Sequence, residues 1–211
     1  MRTGGGVHHL VLRTLNAQAS RGFIETGWLR LPCAIGRGGI SCRKREGDGA
    51  TPAGRWPMRA VYWRADRLGA VLRGSVGWRT TGLPGRALRR DDGWCDAPAD
   101  RNYNRLVRHP YPASAERMWR DDGLYDIVVV LGHNDAPRIR GHGSAIFLHC
   151  ANPHFTRPGY RPTEGCIALR KADLVRLLPF LTRRTVVVTA ATSALPAPRR
   201  RRIVMKLLAK R

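Results

Sequence analysis

Apolar and polar positions along this chain fall into short runs of strand length. Val7–Leu12, Phe23–Ile35, Arg59–Trp63, Tyr125–Leu131, Ala145–His149 and Thr185–Thr189 are β-rich runs, and glycine and proline break the chain between them. Only Lys171–Leu181 has helical spacing, with Leu174, Leu177, Leu178 and Leu181 on one face. The pattern predicts a mainly β domain with one or two packed helices.

Leu29–Ile35 and Ile40–Arg43 flank Gly36-Arg37-Gly38-Gly39, which reads as a hairpin turn. A symmetric turn centred on Arg37-Gly38 pairs Ile35 with Ile40 and sets Cys33 opposite Cys42. That register predicts a disulfide between them if the protein is exported. Arg86–Arg120 and Ala151–Pro162 break the β pattern and read as long loops of the kind that form lids and binding sites. Pro196-Ala197-Pro198 reads as the edge of the folded unit, dividing a domain at 1–194 from a basic tail at 195–211. In that tail Ile203, Val204, Leu207 and Leu208 form the apolar stripe of a short helix, either docked or frayed, or a surface anchor on an anionic membrane or wall.

The 211 residues suit one domain with a sizeable core. No apolar run approaches the length of a membrane-spanning helix. The formal net charge is +23, and only four of the 38 basic residues are lysines. Such an excess reflects either a GC-rich genome or an anionic partner: nucleic acid, an anionic membrane face or an acidic polymer. The chain lacks a recognisable nucleic-acid motif, so no nucleic-acid partner is expected, although a basic binding module without catalysis is the rival to an enzyme. The five cysteines include no Cys-x-x-Cys pair, which argues against structural zinc, and the odd count leaves at least one thiol free. Val7–Leu12 is too short, and too interrupted by His8 and His9, for a signal peptide. The expectation is a cytosolic protein, or a chain that starts downstream of its export signal.

The chemistry concentrates in Ser144–Leu169. Ser144–His149 reads as a buried strand ending in His149, a proline-rich loop follows, and Thr163-Glu164-Gly165-Cys166 turns into an apolar stretch. A loop of 16 residues brings the imidazole and the thiol together at little entropic cost. A thiol needs a nearby base or cation to become a nucleophile near neutral pH, and His149 can supply it. Gly165 lets the backbone turn sharply, so that N–H groups around Gly165 and Cys166 can face a developing oxyanion. A cysteine in an apolar stretch is by default a core residue, and this spacing alone does not overturn that.

The stretch resembles the signature of the L,D-transpeptidase (YkuD-like) family: a strand-end histidine, a variable loop, then Ser/Thr-His-Gly-Cys. Two further blocks agree in order. Lys44–Gly54 is similar to the family's Thr-Pro-x-Gly region, and Tyr125–Asn134 ends in Gly132-His133-Asn134. The resemblance covers roughly residues 7–190. It implies a β-sandwich-like fold with mixed sheets, and acyl transfer on peptidoglycan stem peptides in the periplasm or at the cell wall. Cys166 is then the nucleophile and His149 its base, with no cofactor or metal. Transfer to an amine forms a cross-link, and transfer to water makes a carboxypeptidase or endopeptidase. The chain departs from the signature twice. Glu164 replaces the histidine two residues before the cysteine, and Ala168 replaces the usual Arg or Asn two residues after it. An ionised Glu164 would raise the thiol pKa, orient His149 or bind a substrate amine. His133, His142, Tyr103 and Asn104 are further candidates for substrate contact, and His154 lies in the expected lid. No spacing supports a zinc site built from His149, Cys150 and His154.

Overall fold

The valine- and isoleucine-rich runs form strands because one face of each enters a common core. In the computed structural model, which describes residues 7–27, 29–68, 82–152 and 160–190, the strands are β1 (His9–Thr14), β2 (Arg21–Thr26), β3 (Leu29–Ala34), β4 (Ile40–Ser41), β5 (Thr51–Pro52), β6 (Gly54–Trp63) and β7 (Gly85–Ala87). They continue as β8 (Asp92–Cys95), β9 (Arg105–Arg108), β10 (Ala115–Arg117), β11 (Ile127–Leu131), β12 (Phe147–Cys150), β13 (Ile167–Leu169) and β14 (Val186–Thr189). The helix α1 (Lys171–Leu177) runs into a 3-10 turn at Leu178–Phe180. The expected leucine stripe holds: Leu174, Leu177, Leu178 and Leu181 are all buried.

Nine strands make one sheet in the order β11-β12-β13-β3-β2-β1-β14-β6-β7, and β11 also pairs with β6, so the ends of the sheet meet. The sheet is mixed: β12–β13, β1–β14 and β6–β7 are parallel, and the other pairings within it are antiparallel. The mainly β, mixed-sheet class is therefore the observed one. Two apolar clusters lie on opposite faces. Ile127, Val129, Leu131, Leu148, Ile167 and Leu169 face the larger core. Val128, Val130 and Phe147 face a smaller one, together with Cys166. Burial on both faces explains why β11 reads as an unbroken apolar run rather than an alternation.

The sequence expectations fail in two places. Arg86–Arg120 is not one long loop: it contributes β7 and a three-stranded sheet, β10-β8-β9, which covers the smaller core. Trp94 of that sheet meets Phe147 edge-on, with ring centroids 5.1 Å apart. The second failure is the hairpin that set Cys33 opposite Cys42. Both edges of β3 are already taken, since Cys33 pairs with Gly22 of β2 and with Leu169 of β13. Ile40–Ser41 instead pairs in parallel with Thr51–Pro52. Phe23–Ile35 is itself a hairpin, β2 and β3, and all five cysteines are free thiols. The apolar stripe of the tail and His154 lie outside the described residues.

Candidate active site

Strand pairing decides which side chains meet. In the parallel β12–β13 ladder Leu148 stands opposite Ile167 and His149 opposite Ala168. Side chains alternate along a strand. Leu148, Cys150, Ile167 and Leu169 therefore enter the larger core, while Phe147, His149, Cys166 and Ala168 share the other face. His149 and Cys166 are diagonal neighbours on adjacent strands, and both border a cleft of about 560 Å³. The small Ala168 opposite His149 leaves room in that cleft.

The turn before Cys166 is stitched to two distant segments. Gly165 has φ +136°, a conformation side chains rarely adopt, and a Cβ there would stand 2.9 Å from the Ala50 carbonyl oxygen. Its carbonyl accepts the Thr51 hydroxyl at 2.9 Å, and the same Thr51 Oγ1 accepts the Gly36 N–H at 2.9 Å. Thr163 Oγ1 donates to the Cys166 carbonyl at 2.6 Å, and the Thr163 N–H donates to Ile35 at 2.9 Å. Thr51 belongs to the Thr-Pro block, so that block acts on the site through the turn.

Cys166 is 9% exposed. Its thiol donates to the Ala145 carbonyl at 3.1 Å, and its sulfur accepts the Phe147 N–H at 3.3 Å. Burial pushes the thiol up to about 12, and the nearby Glu116 carboxylate adds to the rise. Ala145 sits at φ +52°, in the left-handed region, and its N–H donates to Asn104 Oδ1 at 3.1 Å.

His149 is 5% exposed. Its Nδ1 lies 2.8 Å from the Cys150 carbonyl, which can only accept, so Nδ1 carries the proton and Nε2 is the unprotonated nitrogen. Burial lowers the imidazole to about 4, against the opposing pull of that carbonyl. The Tyr125 ring stands edge-on to it, with centroids 5.3 Å apart. At neutral pH both the thiol and the imidazole are therefore uncharged.

Glu164 borders the cleft but is exposed, and both its oxygens accept from Arg37 Nε, at 3.0 and 2.8 Å. The carboxylate that acts on the thiol is instead Glu116 of β10, whose Oε1 accepts the Tyr125 hydroxyl at 2.7 Å. Enclosure in the cleft raises Glu116 itself, against the pull of Tyr125 and Arg120.

The other four expected contacts stand behind the lining. Asn104 is buried, and its Nδ2 donates to the carbonyls of His133 and Asn134 at 3.0 and 2.9 Å. Its Oδ1 also accepts the Trp94 indole N–H at 2.9 Å. Tyr103 donates its hydroxyl to Glu46, which does line the cleft. His133 packs edge-on against Trp56, with its Nε2 2.9 Å from the His142 carbonyl, and His142 takes part through that backbone oxygen. Sequence reasoning missed Glu116, Asp96 and Arg120 of the lining: in the segment 86–120 it singled out Tyr103 and Asn104, on resemblance, and no pattern marked the three charged residues.

The profile of the L,D-transpeptidase catalytic domain (YkuD) matches residues 18–189. This chain belongs to that family. The mainly β mixed-sheet architecture agrees with the assignment, and the three blocks that carry the resemblance meet around one candidate site: Thr51 holds the turn, Val128 and Val130 share an apolar cluster with Phe147, and His149 and Cys166 share a face. Searches of curated proteins and of solved structures each gave no match. No helix among the described residues is long and apolar enough to cross a membrane.

Proposed function

We propose that this L,D-transpeptidase-family domain cross-links peptidoglycan stem peptides through a thioester on Cys166, in the periplasm or at the cell wall. The observation that carries this is the common face of β12 and β13, which presents a histidine of fixed tautomer and a cysteine to one cleft. Cys166 Sγ attacks a stem-peptide carbonyl as its proton passes to His149 Nε2, and the imidazolium returns that proton to the leaving amine. The Cys166 N–H, for which no backbone partner is found among the described residues, can donate to the oxyanion. Gly165 keeps the approach to the carbonyl open. A side-chain amine of a second stem then resolves the thioester.

Because the thiol rests on the Ala145 carbonyl and is neutral, proton transfer accompanies attack rather than preceding it. Asn104, which holds Ala145, becomes a positioning residue for that thiol. Glu164 remains the rim residue able to meet substrate.

The test is incubation of the full chain with purified muropeptides, read by mass spectrometry. Wild type is expected to yield cross-linked dimers, and Cys166→Ala none. Shortened stems without dimers would replace the transpeptidase with a hydrolase. An active, folded Cys166→Ala protein would end the thioester reading.

A further inference from the structure

The cleft reverses the sign of the molecule. The whole chain carries +23, yet the described lining sets Glu46, Asp96, Glu116 and Glu164 against only Arg120 and Arg161. Glu46 accepts from Tyr103, and Glu164 pairs with Arg37. Asp96 and Glu116 come from the three-stranded sheet, and Glu116 has Tyr125 and Arg120 as partners on Oε1. In the β10–β8 ladder Glu116 stands opposite Trp94, and the Asp96 N–H donates to the Ser114 carbonyl at 3.3 Å. Alternation then places both acids on the Trp94 face, which covers the smaller core and faces Cys166.

Their hydrogen bonding is incomplete. Asp96 Oδ1 is buried without a partner. Glu116, whose side chain is 28% exposed, has Tyr125 at 2.7 Å on Oε1, and Arg120 reaches it only at 3.5 Å because its guanidinium is drawn to Asp122 at 2.5 Å. An independent feature lies in the same lining. Ser144 is 7% exposed, and its hydroxyl makes no well-aligned hydrogen bond, although the Tyr103 hydroxyl lies beside it. An unpaired carboxylate oxygen, a carboxylate with capacity to spare and a hydroxyl with an unused lone pair together suit a donor-rich cation. A primary ammonium supplies three N–H donors and one positive charge.

We infer that Asp96, Glu116 and Ser144 seat the ammonium of the acceptor, and that Glu116 takes its proton, so that amine rather than water resolves the thioester. This rests on the thioester reading above. An alkyl ammonium titrates near 10.4, so the acceptor arrives without a lone pair at about neutral pH. It gives one proton to the Glu116 carboxylate, and the freed lone pair attacks the thioester carbonyl carbon. The C–N bond forms and the C–S bond breaks. The second N–H proton passes through His149 to the departing thiolate, and Glu116 releases its proton to solvent. Thioester and ammonium thus become amide, thiol and one proton. Burial, with Asp96 and Asp122 adding to it, raises Glu116 from its ordinary value, which favours its taking up a proton.

The test acylates the full chain on Cys166 with purified muropeptides, then offers meso-diaminopimelate or hydroxylamine, which is uncharged at neutral pH. Products of amine and of water are counted by mass spectrometry. Glu116→Gln keeps the shape of the side chain and an oxygen for Tyr125. Once acylated, it is expected to react with hydroxylamine at the wild-type rate. Its ratio of diaminopimelate product to hydrolysis product is expected to fall roughly 10²-fold, the low end for a positioned proton acceptor. Asp96→Asn is expected to move the ratio in the same direction by less. An unchanged ratio, or equal loss with both nucleophiles, overturns the seat, the latter because it would mark Glu116 as a wall residue only. Absence of any wild-type adduct on Cys166 overturns the thioester reading, and the seat falls with it.

Discussion

Alkylation of Cys166 tests whether the resting site holds a neutral pair or a thiolate–imidazolium pair. With the thiol at about 12, roughly one molecule in 10⁵ is thiolate at pH 7. An unperturbed cysteine near 8.5 is about 3% thiolate at the same pH. Iodoacetamide should therefore modify Cys166 about 10³-fold more slowly than an ordinary exposed cysteine. Cys42, the exposed cysteine of the same chain, serves as the internal reference. The assay is peptide-resolved mass spectrometry of the full chain after timed alkylation from mildly acidic to alkaline pH. The logarithm of the Cys166 rate should climb one unit per pH unit with no acidic plateau. His149 is not among the groups that shift the thiol, so His149→Ala should leave this profile in place while cutting turnover about 10²–10⁴-fold. A flat Cys166 rate from acid to neutral pH, at or above that of Cys42, would refute the neutral pair and require proton transfer before substrate arrives.

Thr51→Val leaves the Gly36 N–H and the Gly165 carbonyl without their buried partner. The expected loss is about 2–5 kcal/mol, read in a thermal melt as a fall in Tm of roughly 5–15 °C; an unchanged Tm would show that the turn is held otherwise. His149 has its folded-state value lowered from 6.5 to about 4. Between those values the unfolded chain binds a proton that the folded chain refuses, so stability should fall by about 3 kcal/mol as pH drops through that window. His149→Gln should flatten that part of a urea-midpoint series against pH, and an equally steep series would place the proton elsewhere. A carbapenem should acylate Cys166 within hours, adding one drug mass to wild type and none to Cys166→Ala by intact-protein mass spectrometry. The Glu116 carboxylate repels the drug's own, so Glu116→Gln should react faster, and equal rates would mean that the drug enters along another wall.

Much of this site was legible because it is built from local backbone devices. A strand-end histidine, a glycine before a cysteine and a Thr-Pro block are short signals, and each keeps its meaning in the fold. What stayed hidden depends on pairing partners far apart in sequence. The hairpin register of Cys33 and Cys42 was sound as local geometry. It lost because β2 and β13 take both edges of β3, and tertiary packing overrides a turn signal of a few residues. Glu116 was invisible for a related reason. β8, β9 and β10 are three or four residues long and hold three Arg, one Asp and one Glu, so they carry no clear hydrophobic period, and β8 packs Trp94 against Phe147. Glu164 drew attention because it departs from a signature, yet it is paired with Arg37, and the carboxylate that raises the thiol is Glu116. Position in a motif marks the place of a side chain along the chain, and its partner decides what its charge acts upon.

The two signs of charge in this protein act over different distances. An excess of +23 acts at the scale of the molecule, raising the encounter rate with any anionic polymer, and salt screens it beyond about 8–10 Å. The acids of the cleft act within contact distance, where enclosure weakens screening and a single unpaired oxygen can decide which nucleophile is held. An arginine-rich exterior would by itself repel an ammonium acceptor. A cleft lined by Asp96, Glu116 and Ser144 offsets that repulsion locally, at the one place where the thioester would stand. Removing exterior arginines and removing Glu116 should therefore be separable. The first changes how often substrate arrives and how strongly salt matters, and the second changes which product leaves.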